Sequence, residues 1–295
     1  MKMITRLASA LAALFATALP VFAQQNWVLN GDFASGLTSW TTSGAGDQPL
    51  VENFDVTGLG PTAAFGVNAG APLNSTVLPP YVLQQNLVLP ATYFEVHAEL
   101  CMDAPGFNND AGTVSIWVGG VERARHAWGA VATTSISRTV ICERFLLTSG
   151  GPQSFEVRFD RSFASLRGRT PRLYIDNVAL RVAAGPSFAF FGDRKPGLTT
   201  EVAIRGNPST AVGVFLAPKS GPALTIPGFA GSFTLDLATT VSFYAAVTDA
   251  AGRQSAKFQI PGNLTALQGV SLFYQAVEVS QTPAIGIAHD YGLQK

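Results

Sequence analysis

The chain has 295 residues, carries 19 basic and 19 acidic side chains, and is only 13% charged. That balance excludes the electrostatic footprint of a nucleic-acid or anionic-membrane binder. Glycine (29), proline (18) and phenylalanine (20) are plentiful, which favours short strands joined by tight turns over helices.

Residues 1–23 read as a secretory signal. Lys2 and Arg6 form a positive n-region, Leu7 to Leu19 an apolar h-region, and Val21-Phe22-Ala23 a small-residue site with cleavage before Gln24. The apolar run falls short of the ~20 residues a membrane span requires, and no later run reaches that length. The expectation is a secreted, extracellular protein with no membrane span after cleavage. The cell surface and the periplasm are alternative destinations.

Strand signals then recur at short intervals. From Tyr93 to Cys101, Phe94, Val96, Ala98 and Leu100 alternate with Tyr93, Glu95, His97, Glu99 and Cys101. Val114, Ile116 and Val118 alternate with Thr113, Ser115 and Trp117; Phe155, Val157 and Phe159 alternate with Glu156, Arg158 and Asp160. Turn clusters such as Ala104 to Asp110 and Ser149-Gly150-Gly151-Pro152 separate these runs. The pattern predicts an antiparallel sandwich over 24–184, each sheet with one face buried and one partly wet. Ala183-Ala184-Gly185-Pro186 marks a boundary. A second, smaller antiparallel sandwich is predicted for 185–295, with strands at Thr200–Arg205, Val212–Ala217, Ser232–Leu237, Thr240–Thr248, Phe258–Ile260 and Ser271–Val279. The fold class is all-β.

Charge is unevenly placed. From Gln24 to Glu122 there are acids but no Lys or Arg, whereas arginines run from Arg123 to Arg181. Interleaved strands would pair these signs across the sandwich; an acidic face for a cation is the alternative. Cys101 and Cys142 are the 2 cysteines, and two thiols in an exported chain predict one disulfide. Such a bridge would stabilise by about 4 kcal/mol in the chain-entropy model.

No catalytic constellation is visible. His97, His126 and His289 show no metal-ligand spacing, and neither GxSxG nor a phosphate-cradling glycine loop occurs. Glu95 and Glu99 flank His97 on one strand face, but neighbours on one strand cannot reach a glycosidic bond from opposite sides. Binding without catalysis is therefore expected. Sugar recognition needs exposed aromatic planes beside planar polar groups. Trp117 is the best candidate, Tyr93, His97 and Glu99 share a wetter face, and Trp128 lies in the following loop or strand. Trp27 and Trp40 read as core.

Three phrases carry a family resemblance. Asn30-Gly31-Asp32-Phe33 with Gly36-Leu37-Thr38-Ser39-Trp40 opens the first domain; Leu173-Tyr174-Ile175-Asp176-Asn177-Val178-Ala179-Leu180 closes it. Val82 to Pro90, followed by Tyr93-Phe94-Glu95-Val96, lies between. Residues 24–184 thereby resemble galactose-binding-like carbohydrate-binding modules of the cellulose- and xylan-binding type. The resemblance implies a jelly roll, a polysaccharide or cell-surface glycan as partner, and a structural calcium joining first and last strands. Asp32 and Asp176 match its ligand positions; Ala34 stands where an acid is usual, with Glu52 or Asp55 as substitutes. A structural or adhesive role through protein contacts is the alternative function. Phe215-Leu216-Ala217, Ile226-Pro227-Gly228 and Leu267 to Val277 resemble a C-terminal module of exported environmental bacterial proteins. That implies placement outside the cell rather than chemistry.

Overall fold

The computed structural model describes residues 25–70, 79–164 and 168–294; the signal expected over 1–23 lies outside them. In chain order the first ten strands are β1 (Thr41–Ser43), β2 (Gly46–Phe54), β3 (Thr62–Ala69), β4 (Tyr81–Leu89), β5 (Tyr93–Ala104), β6 (Thr113–Val118), β7 (Val121–Ala127), β8 (Ser135–Leu146), β9 (Gly151–Asp160) and β10 (Arg172–Val182). They form two five-stranded sheets, a front sheet ordered β1-β4-β9-β6-β7 and a back sheet ordered β2-β3-β10-β5-β8. Every ladder between them is antiparallel, and the two sheets face each other as a jelly-roll sandwich.

The alternation read from sequence sets this packing. Phe94, Val96, Ala98 and Leu100 of β5 share one buried cluster with Val114, Ile116 and Val118 of β6 and Phe155, Val157 and Phe159 of β9. Phe33, Phe65 and Leu83 complete its centre, and Trp40 stacks on Phe33 at 5.6 Å. Trp27 packs edge-on against Phe94.

The opening and closing phrases are laced together. The Trp27 N–H donates to the Leu180 carbonyl (2.9 Å) and the Val178 N–H to the Gly31 carbonyl (2.9 Å). The Asn26 side chain accepts from the Val28 and Leu180 N–H groups and donates to the Val178 carbonyl. Gly31 is required here because a Cβ would fall 2.0 Å from the Val178 oxygen. The β10–β5 register shifts between Asp176 and Ala179, with Asn177 at φ 52°, so the closing strand bulges where the opening turn reaches it. The uneven charge resolves as interleaving: Arg172 pairs with Glu52 at 2.7 Å and Arg138 with Asp55 at 3.7 Å.

The C-terminal strands are β11 (Ser187–Phe191), β12 (Thr199–Arg205), β13 (Ala211–Ala217), β14 (Ser220–Leu224), β15 (Phe233–Leu235), β16 (Val241–Val247), β17 (Arg253–Gln259), β18 (Ser271–Val279), β19 (Ala284–Ile285) and β20 (His289–Gly292). A sheet ordered β11-β12-β17 packs on one ordered β16-β13-β18-β19, with β20 also paired to β18. Between them sits an aromatic-rich core of Phe188, Phe190, Val202, Ile204, Val214, Tyr274 and Tyr291. β14 and β15 form a small separate ladder.

That core extends into the first sandwich, because Val140 and Cys142 of β8 belong to it. The C-terminal strands thus cover part of the back sheet's outer face. β5 is consequently buried on both sides for most of its length. This corrects the expectation that His97 and Glu99 share a wetter face with Tyr93: both are buried, as is Glu95 on the same strand face, and only Tyr93 is exposed.

The expected disulfide is also corrected: Cys101 and Cys142 are both free and buried. In the β5–β8 ladder Cys142 stands opposite His97, whereas Cys101 stands opposite Arg138. At ~3.3 Å per residue the cysteines are separated by roughly 13 Å along the ladder, beyond the ~7 Å Cα separation a bridge tolerates.

Candidate functional site

The front sheet keeps its outer face toward solvent, and the registers align a row of side chains across all five strands. Thr41 pairs with Gln84, Gln84 with Glu156, Glu156 with Trp117, and Trp117 with Glu122. The adjacent row runs Ser43, Val82, Arg158, Ser115 and Arg125 by the same pairings. One indole therefore lies on the fourth of five strands, beside amide, carboxylate and guanidinium groups.

Trp117 is held in place rather than left loose. Its Nε1–H donates to Ser115 Oγ at 2.9 Å, and the Arg158 guanidinium sits 3.9 Å from the ring centroid. Arg158 is oriented in turn by Glu156, donating from Nε (2.8 Å) and Nη2 (2.6 Å) to one carboxylate oxygen. Glu122 and Arg125 form a looser pair at 3.4 Å. A cation over an indole is worth about 0.5–1 kcal/mol where solvent reaches it and more where it does not; with 27% of Arg158 and 14% of Glu156 exposed, the guanidinium is held over one face of the ring. The half-buried carboxylate, amide and guanidinium groups of the row are of the types that pair with hydroxyls, which both donate and accept.

Among the other candidate residues, Trp128 follows β7, half-buried against the first core with His126 edge-on at 4.7 Å. It packs toward the core with its Nε1 buried, and its backbone N–H donates to the Gly112 carbonyl at 3.1 Å, at the opposite end of β6 from Trp117. Tyr93 opens β5 on the back sheet, half-exposed, with the Arg144 guanidinium 4.1 Å from its ring centroid. It lines a shallow groove with Arg205 and Asn207 of the C-terminal segment. His97 and Glu99 are enclosed between the two parts of the molecule. Burial holds the His97 imidazole well below its ordinary pKa, with His289 and Arg181 adding to the effect. Burial also raises Glu99 to about 7, opposed by Arg194 and by the Asn177 amide. The structure therefore leaves Trp117 on the front face without the other candidates: Trp128 packs toward the core, and Tyr93, His97 and Glu99 lie on β5 of the back sheet.

Gln84, Glu156, Arg158 and Glu122 were not singled out from sequence. Strand alternation assigned Glu156 and Arg158 to an outward face, but only the registers put them beside Trp117.

At the junction of first and last strands, Asp32 lies in the exposed opening turn and Asp176 is buried. Asp176 accepts the Thr62 hydroxyl at 2.6 Å and the Asn177 N–H at 2.7 Å. Burial pushes its carboxyl up to about 6, and the nearby Asp32 charge contributes in the same direction. Two carboxylates and a hydroxyl are oxygen donors of the type calcium takes, three of the six to eight it needs. Neither proposed substitute joins it: Glu52 is engaged by Arg172, while Asp55 accepts from the Gly58 and Gly60 N–H groups.

No protein-family model matches the chain, and no curated protein matches it. The C-terminal resemblance therefore gains no support. Solved structures with similar strand arrangements include the carbohydrate-binding module TmCBM61 in complex with β-1,4-galactotriose, at 18% identity and TM-score 0.33, covering 53% of this chain and 98% of that one. The K3 cleaved adhesin domain of Lys-gingipain from Porphyromonas gingivalis matches at 15% identity and TM-score 0.33, covering 52% and 96%. A GH2 β-galacturonidase from Eisenbergiella tayi matches at 12% identity and TM-score 0.30, covering 86% and 43%. Likeness at this level carries no information about ligand or activity.

Proposed function

We propose that the protein is an exported, non-catalytic bacterial protein whose first sandwich binds a polysaccharide or cell-surface glycan on its front face. The observation that carries this reading is the row Thr41, Gln84, Glu156, Trp117 and Glu122 across five strands. An indole suits the apolar C–H face of a pyranose, and the flanking amide and carboxylates suit its hydroxyls. The extended solvent-facing row accommodates a chain more readily than a single sugar. No helix among the described residues is long and apolar enough to cross a membrane.

Retention on insoluble polysaccharides and on a glycan array tests the reading. Trp117→Ala should lose at least tenfold in affinity, about 1.4 kcal/mol, while keeping its melting temperature. Calcium belongs to the same proposal as a structural ion, held by Asp32 and Asp176 with the Thr62 hydroxyl beside them. It would supply a positive charge that ties the ends of the domain together.

A second reading, an extracellular structural or adhesive role through protein contacts, is favoured by a different surface. Val247, Ala211 and Val279 align across β16, β13 and β18, and Val247 and Val279 are 61% and 62% exposed. An apolar row of this kind suits a protein partner. Binding to a copy or partner that is lost in Val247→Asp but kept in Trp117→Ala would select this reading.

A further inference from the structure

The seam between the two parts of the molecule encloses a group with no part in the glycan-binding face. Glu95 of β5, Cys142 of β8 and His289 of β20 are all buried, and their donor atoms lie within 4.8 Å of one another. Glu95 Oε1 and His289 Nε2 are 2.7 Å apart. His97 stands opposite Cys142 in the β5–β8 ladder and stacks on His289, with ring centroids 4.7 Å apart and planes inclined by 20°.

Two atoms here are buried without a partner: Glu95 Oε2 and His97 Nε2. Buried polar atoms are satisfied almost without exception, and each exception calls for a cause. The hydrogen bond between Glu95 and His289 accounts for one carboxylate oxygen and one imidazole nitrogen. It leaves the other oxygen and the His97 nitrogen unexplained, while the Cys142 thiol donates to the Phe188 carbonyl at 4.0 Å.

We propose that Glu95, Cys142 and His289 form a structural site for a transition-metal dication, Zn²⁺ first, with His97 Nε2 as the fourth donor. Thiolate, imidazole and carboxylate are the three ligand types zinc takes, at bond lengths of about 2.0–2.3 Å. Donors on a tetrahedron of that size stand roughly 3.3–3.8 Å apart, so small side-chain rotations bring Glu95, Cys142 and His289 together from their present 4.8 Å spread, whereas His97, outside that set and stacked on His289, must turn its ring to join them. Thiolate plus carboxylate balances the metal's charge, and the thiol proton leaves to solvent on binding. Arg181 and Arg194 face the cluster; they favour the anionic ligands and oppose the ion itself. Because the donors come from both parts of the molecule, the metal would clamp β20 onto the back sheet.

The test uses the full mature chain made metal-free and then given ZnCl₂ or CoCl₂ alone. The expected results are one zinc retained per chain after gel filtration and a higher melting temperature. Cobalt should add a thiolate-to-metal charge-transfer band in the near ultraviolet. Cys142→Ser should lose that band and at least a hundredfold in zinc affinity, while Cys101→Ser keeps both. His289→Gln should weaken zinc binding while retaining the thiolate band at saturating cobalt, and serves if Cys142→Ser does not fold. No zinc retained by the wild-type chain, or a cobalt band indifferent to Cys142→Ser, would overturn the site. Neither result touches glycan binding at Trp117.

Discussion

Glu95 and His289 are 194 residues apart in sequence and 2.7 Å apart in the fold. Their contact fixes β20 against the back sheet of the first sandwich and removes the outer face of β5 from water. The two faces of the sandwich thereby acquire different roles, with the back engaged in internal packing and the front left to present Trp117. The same contact explains why an alternating strand, normally half-wet, is buried on both sides.

The lacing of first and last strands depends on Gly31. Gly31→Ala would place a methyl 2.0 Å from the Val178 oxygen, and either strand must shift to admit it. A loss of about 1–3 kcal/mol is expected, read as a lower urea midpoint. Ala34→Gly, in the exposed part of the same turn, should change the midpoint far less.

Glu99 gives the stability a pH dependence. Its folded pKa is raised to about 7 from 4.5, so between those values the folded state binds more protons than the unfolded one. Stability from this group is therefore full below about 4.5 and lost as pH rises toward 7. Asp176, raised to about 6, acts in the same direction. Glu99→Gln should be more stable than wild type at pH 8 and flatter across the window. An unchanged slope would remove Glu99 as its source.

Sequence alternation carried the core of the first sandwich, because Phe94, Leu100, Ile116 and Phe159 point inward by strand periodicity alone. Which outer face stays wet was not legible. The answer depends on β20, and a histidine near the C-terminus carries no local signal that it will meet Glu95. Register was equally hidden: it decides that Cys142 faces His97 rather than Cys101, and that Glu156 flanks Trp117. In the C-terminal part β11, β14, β19 and β20 were not named from sequence, although the three-residue β15 was covered by Ser232–Leu237. Pairing with distant strands, rather than periodicity, defines them.

Thiol chemistry checks the register directly. Both cysteines are buried, and burial pushes the Cys101 thiol up to about 12 and the Cys142 thiol well above its ordinary value. Neither should react with maleimide in the native protein at pH 7. Both should react in denaturant without reductant. A mass lacking both adducts there would restore the disulfide.

Calcium at a hundredfold over its dissociation constant should stabilise the metal-free protein by about 2.7 kcal/mol. Asp176→Asn should abolish the calcium response while leaving a response to zinc intact. A melt that calcium does not move would confine Asp176 to its bonds with Thr62 and Asn177.

The most direct measurement of the glycan-binding account is retention of the wild-type chain and Trp117→Ala on plant, algal and bacterial polysaccharides. The account predicts that the wild type is held by at least one of them. It predicts that the variant, equally stable, is released with at least tenfold weaker affinity. No retention on any polysaccharide, or equal retention of both chains, would contradict it.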